Sequence, residues 1–287
     1  MINRLVAGAA ALATACLMAL GGAQAFDDSE YPNFKGQWRR VPVPGVRGQI
    51  SFDQHRDWGK GQGAPLTPEY QAIYEANLKS QAKGDSGEWL GISCLGFGMP
   101  IMMYGGEPIE IIITPATTYI LLNWVEHGRR IYTDGRDWPA DIEPTLQGYS
   151  IGKWVDTDGD GKFDVLEVET RGFKGPRHYD ASQLPLHHDN KSVFKERFYL
   201  NKDNPNIFHD EITVIDNALT RPWTVVREYQ RNPAGRPVWR EFICAEGNGH
   251  LRIGNENYYM SADGLLMPVR KDQPPPDLRY FKSSKSQ

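Results

Sequence analysis

From Pro108 to Cys244 the chain is a series of short apolar runs, rich in β-branched and aromatic residues, broken by turn residues. Apolar and polar positions alternate within many of these runs, as on a strand with one face buried. The pattern predicts strands over 109–114, 118–125, 130–132, 149–155, 165–170, 194–200, 207–215, 224–230 and 238–244. His127-Gly128 and Asp134-Gly135 read as tight turns, and Asn232-Pro233-Ala234-Gly235 as the link between the last two strands. Before this series, Asn33 to Trp38 opens the first ordered element, and Pro42 to Gly63 reads as a long loop.

One segment has helical spacing instead. Thr67 is a fitting N-cap and Pro68 a fitting first helical residue. Tyr70, Ile73, Tyr74, Asn77 and Leu78 then recur at three and four, so a helix over about 67–83 is expected to lay one face on a sheet, ending at Gly84. About ten short strands with hairpin-type links and one helix argue for an all-β, antiparallel fold, either barrel-like or a two-sheet sandwich. A closed barrel has the advantage of leaving no exposed strand edge. No repeat of fixed period is present, which argues against a propeller.

Residues 1–25 read as a signal peptide: Arg4, an apolar stretch from Leu5 to Leu20, and Ala23-Gln24-Ala25 as cleavage site. The expected location is therefore periplasmic or extracellular, with residues 26–270 as a single β-rich domain and 271–287 as a disordered tail. No later segment is apolar enough to span a bilayer. Loss of Arg4 takes the net charge from −4 to −5. The basic residues are scattered, so nucleic acid and anionic membrane surfaces are poor candidates for partners. Cleavage also removes Cys16 and leaves Cys94 and Cys244, an even pair in an oxidising compartment. A bridge would close a loop of about 150 residues; two buried thiols are the alternative.

The densest chemistry lies in residues 156–167. Asp156, Asp158, Asp160, Asp164 and Glu167 occupy positions 1, 3, 5, 9 and 12 of a twelve-residue loop, with Gly161 at position 6 and the Lys162 carbonyl at position 7. That spacing suits a hard cation, and Ca²⁺ is the expected ion. The flanking segments are strands, so the expected site is a rigidified β-hairpin tip rather than a helix–loop–helix. Glu167 sits on the returning strand, which can carry it away from the ion. No organic cofactor is expected.

Other candidates rest on alternation. Arg130, Tyr132, Asp134 and Arg136 lie two apart and would share a face, with Arg130 and Arg136 holding an acidic group. Trp154 and Trp223 would supply apolar floor to the same pocket. Asp134, Tyr132 and His188 form the candidate proton carriers if the chain is an enzyme. Hydrolase nucleophile elbows, phosphate loops and dinucleotide fingerprints are absent from the sequence. The leading expectation is a binder of an apolar or amphipathic small molecule inside a β shell. A cofactor-free lyase or isomerase and a calcium-stabilised envelope scaffold are the alternatives.

Several motifs between Pro65 and Asn248 carry a resemblance: Pro65-Leu66-Thr67-Pro68-Glu69-Tyr70, Gly98-Met99-Pro100, Arg130 through Arg136, Ser150-Ile151-Gly152-Lys153-Trp154, Glu196-Arg197-Phe198, Pro222-Trp223-Thr224 and Cys244 through Asn248. Together they resemble a large family of exported bacterial proteins without an assigned reaction. The resemblance implies that Cys94 pairs with Cys244. Tyr149, Val193 and Ala245 stand where members of that family tend to carry histidine, so any chemistry those histidines perform is lost or altered here. Separately, Gly36-Gln37-Trp38 is similar to the G-x-W entry of lipocalins, which implies a calycin-like barrel.

Overall fold

The computed structural model describes residues 26–41 and 63–277, apart from 86, 94, 105–107, 126, 241–242, 244–248, 255 and 262. The expected signal segment, the loop 42–62, both cysteines Cys94 and Cys244, and residues 278–287 of the expected tail lie outside the described residues. Nine strands close into a barrel: β1 (Gln37–Arg40), β2 (Ile109–Ile113), β3 (Thr117–Leu122), β4 (Arg129–Tyr132), β5 (Tyr149–Val155), β6 (Val165–Arg171), β7 (Val193–Leu200), β8 (Ile207–Ile215) and β9 (Trp223–Arg231). Each strand neighbours the next in sequence, and β9 returns to β1 through Trp38↔Arg231 and Arg40↔Tyr229. The barrel, not the sandwich, is the architecture. A three-stranded sheet follows, made of β10 (His250–Ile253), β11 (Glu256–Met260) and β12 (Leu266–Pro268).

A closed ring of strands can hold only an even number of antiparallel neighbours, because each one reverses the direction. Nine strands therefore need one parallel pair, and β4 with β5 is that pair. They touch over only Ile131↔Ser150 and Tyr132↔Ile151. A parallel pair cannot be joined by a tight turn, so residues 133–148 run back as a crossover. Asp134-Gly135 opens that crossover; it is not the hairpin turn the sequence suggested.

Alternation fills the barrel. Phe194, Glu196 and Phe198 on β7, and Phe208, Asp210, Ile212 and Val214 on β8, are all buried. Phe208 ties the interior together, its ring 5.5 Å from Phe34, 5.7 Å from Trp38, 5.7 Å from Phe198 and 4.8 Å from Tyr229. Rings of this size in edge-to-face and offset contact supply much of a β core's stability.

The helix, α1 (Pro68–Ala82), starts where expected, with the Thr67 hydroxyl accepting from the Tyr70 amide at 3.4 Å. Its buried stripe is Tyr70, Tyr74 and Asn77, while Ile73 is exposed. It docks on loops rather than on a sheet face. The Tyr74 hydroxyl donates to Ser182 Oγ at 2.7 Å, and the Tyr70 ring lies 5.2 Å from His187. The expected strand over 238–244 is also corrected: Val238, Trp239, Arg240 and Ile243 are in no strand, and all are exposed. No helix among the described residues is long and apolar enough to cross a membrane.

Candidate functional site

The parallel pair creates the site. Returning from β4 to β5, the crossover is pinned on two sides. Thr145 bridges Phe173, its amide donating to Gly172 O at 3.1 Å and its carbonyl accepting from the Lys174 amide at 3.0 Å. Leu146 O accepts from the Met99 amide at 3.1 Å. Gly98 permits that approach, since a Cβ there would lie 1.9 Å from Leu146 O. Between the crossover, residues 95–97 and the outer face of β3–β5 lies an open cleft of about 960 Å³.

Strand parity decides what the cleft contains. Ile131 is wholly buried, so Arg129 shares its inward face and Arg130 and Tyr132 face outward. Tyr119 is paired directly with Arg130 across β3 and β4 and shares its face. Arg130, Tyr132, Tyr119 and Tyr149 all line the cleft, together with Phe97, Trp124 and Leu146. Phe97 and Trp124 pack with ring centroids 4.7 Å apart, and the Trp124 indole is fixed by a 2.8 Å hydrogen bond to Met102 O. His127, Lys174 and the inward Arg129 complete the basic lining, and among the described residues no Asp or Glu lines the cleft.

The sequence grouping of Arg130, Tyr132, Asp134 and Arg136 is therefore split. Arg130 and Tyr132 line the cleft together, on the outside of the barrel rather than within it. Arg136 and Asp134 are occupied with each other, Nε donating to Oδ1 at 2.8 Å and Nη2 to Oδ2 at 2.6 Å. The Arg136 guanidinium also lies 3.8 Å from the Tyr132 ring centroid. Its hydrogen bonds hold the Asp134 carboxyl down at about 2, which makes Asp134 a weak proton acceptor. His188 is exposed and lies near Tyr70 of α1, with ring centroids 6.3 Å apart; it is not among the residues lining the cleft. Trp154 and Trp223 are core residues, Trp154 packed against Tyr31 and Phe34 and Trp223 against Tyr179.

The barrel interior holds charges, Glu196 on β7 and Asp210 on β8 being inward by strand alternation. Arg129 grips Glu196 with both terminal nitrogens, Nη1 to Oε1 at 2.9 Å, and Nη2 also donates to Thr170 Oγ1 at 2.9 Å. Arg227 Nη1 donates to Asp210 Oδ2 at 3.2 Å, with both side chains fully buried. Among the described residues Asp210 Oδ1 and Arg129 Nε have no hydrogen-bond partner. Desolvation outweighs Arg227 and pushes the Asp210 carboxyl up to about 7, with Glu196 adding to the rise.

In the acidic hairpin, Asp156, Asp158 and Asp160 can each bring a carboxylate oxygen within 4.8 Å of the others. The loop also uses these groups itself. Asp156 accepts from the amides of Gly159 (2.7 Å) and Gly161 (3.0 Å), and Asp160 from that of Lys162 (2.8 Å). The two amide bonds hold the Asp156 carboxyl below its ordinary value. Asp164 accepts from the Thr157 amide at 2.7 Å, and Glu167 faces Arg197 of β7 at 3.9 Å; neither belongs to the converging three. Lys202 lies 3.3 Å from Asp158.

The chain matches no family model and no curated protein.

Proposed function

We propose that the protein is an exported binder of an amphipathic small molecule with an acidic group, held in the cleft over β3–β5. The observation that carries this is the charge of the lining: Arg130, Lys174 and His127 stand beside apolar residues, and among the described residues no carboxylate lines the cleft. Arg129 is neutralised by Glu196 and Arg136 by Asp134, whereas Arg130 and Lys174 form no ion pair among the described residues. An anion entering the cleft meets their two uncompensated charges. A charged hydrogen bond is worth about 1.5–3 kcal/mol, so Arg130→Ala is expected to weaken binding of 8-anilinonaphthalene-1-sulfonate, an amphipathic anion followed by its fluorescence, by about tenfold or more. Arg197→Ala, an exposed arginine of β7 that is not among the residues lining the cleft, is expected to change it by less than about threefold. Equal affinity in the wild type and Arg130→Ala would remove the assignment.

We also propose that Asp156, Asp158 and Asp160 take a calcium ion that stiffens the β5–β6 hairpin. Three carboxylates this close repel one another without a counter-charge, and Lys202 offsets only part of it. Calcium is expected to raise the melting temperature of the wild type by a few degrees, and Asp158→Ala to abolish the increase. The same loss for Asp158→Ala in chelator and in calcium would argue against the ion.

A further inference from the structure

We infer that the acid taken by this cleft is aromatic and carries a polar ring substituent, an oxygenated aromatic carboxylate rather than a fatty acid. This rests on the reading of the cleft as an acid-binding site and narrows its ligand class.

The argument starts from how the walls are built. Tyr119, Tyr132 and Tyr149 come from three adjacent strands and line the cleft with Arg130, Tyr119 paired directly across from it, while Arg136 covers part of the Tyr132 ring at 3.8 Å. Tyr132 and Tyr149 are packed with centroids 5.0 Å apart. The Phe97–Trp124 pair, held by the Trp124 indole bond to Met102 O, lines the same cleft. Five aromatic rings in one lining favour a flat, polarisable guest through offset and edge-to-face contacts, each worth more than the area it buries. A flexible alkyl chain gains no such contact and loses rotamer freedom on binding.

The hydroxyls add the second element. Tyr149 Oη is met by Arg136 Nη1 at 3.4 Å, but the Tyr119 and Tyr132 hydroxyls have no hydrogen-bond partner among the described residues. Both residues line the cleft together with Arg130. A site that hydrogen-bonds a ligand hydroxyl discriminates sharply against the analogue lacking it.

Calorimetric titration of the full chain with 4-hydroxycinnamate, cinnamate and octanoate, all monoanions at pH 7.5, tests this. The wild type is expected to bind 4-hydroxycinnamate at least tenfold more tightly than octanoate. A folded Tyr119→Phe/Tyr132→Phe variant keeps the rings and is expected to lose the preference for 4-hydroxycinnamate over cinnamate. Tyr119→Leu/Tyr132→Leu is expected to reduce the aromatic preference to under threefold with octanoate affinity unchanged. Octanoate bound as tightly as 4-hydroxycinnamate by the wild type would overturn the aromatic class and leave the acid-binding cleft standing. Absence of binding by all three acids would overturn both.

Discussion

Replacing Glu196 with alanine is expected to cost about 3–5 kcal/mol of folding stability, measured as a fall in ΔG from urea unfolding. The reason is what remains behind. Arg129 is 1% exposed, and its two charged hydrogen bonds to Glu196 are its main compensation. Without them a guanidinium is left in the barrel with only Thr170 and Ser150 to receive it. Total stability of a domain is about 5–15 kcal/mol, so this one truncation consumes a large share. The paired change Arg129→Met with Glu196→Leu is expected to recover most of it, because removing both charges also removes both desolvation penalties. Arg130→Ala, one residue along but facing outward, is expected to stay within about 0.5 kcal/mol of the wild type. A Glu196→Ala chain as stable as the Arg130→Ala chain would contradict the inward placement of Arg129.

The second large effect is on pH dependence. Asp210 is wholly buried beside Arg227, with Glu196 and Arg129 also acting on it, and its carboxyl is raised to about 7. A carboxyl raised by folding stabilises most when protonated. Its contribution is fully present below the ordinary value of 3.8 and is lost as pH rises through about 7. His178 works in the opposite sense, burial having lowered it from 6.5 to about 4. Its contribution is present above 6.5 and is lost as pH falls through 4. Over pH 4–6.5 the two slopes oppose each other. The stability difference between the wild type and Asp210→Asn isolates the carboxyl and is expected to fall with rising pH by up to about 1.4 kcal/mol per unit, levelling off above pH 7. A carbon resonance from the Asp210 carboxyl titrating near 7 would identify the group directly; titration near 4 would show that Arg227 holds it ionised.

Most of the strands were legible because alternation and turn residues agree along this chain. Tyr149–Val155 and Ile207–Ile215 lie where the pattern puts them, as do the Thr67 cap and the start of α1. The stretch 238–240 misleads because Val238-Trp239 looks like a strand, yet no neighbouring strand takes it up. β10–β12 carry little signal in the sequence because Tyr258-Tyr259 and Leu265-Leu266-Met267 are short runs in a polar, glycine-containing context. Helix spacing alone could not tell that Ile73 lies at the margin of the buried stripe.

The site was harder, for a topological reason. Arg130 and Tyr132 were identifiable as sharing a face, but which face follows from Ile131, whose apolar side chain belongs inside and takes Arg129 with it. The parallel step from β4 to β5 leaves no local sign, since Asp134-Gly135 is as good a start for a long crossover as for a hairpin. That step brings Lys174, Phe97 and Trp124 to Arg130, and contacts at such separations in sequence have no periodic signature. The partners of Glu196 and Asp210 are illegible for a simpler reason: each lies on another strand, Arg129 on β4 and Arg227 on β9, and nothing local announces it.

The most direct test is a crystal structure of the protein grown with 4-hydroxycinnamate. Density for the ligand is expected outside the barrel, its ring among the aromatic residues of the cleft and its carboxylate at Arg130. Ligand density inside the barrel beside Arg129 and Glu196, or at the β5–β6 hairpin with the cleft over β3–β5 unchanged, would contradict the account.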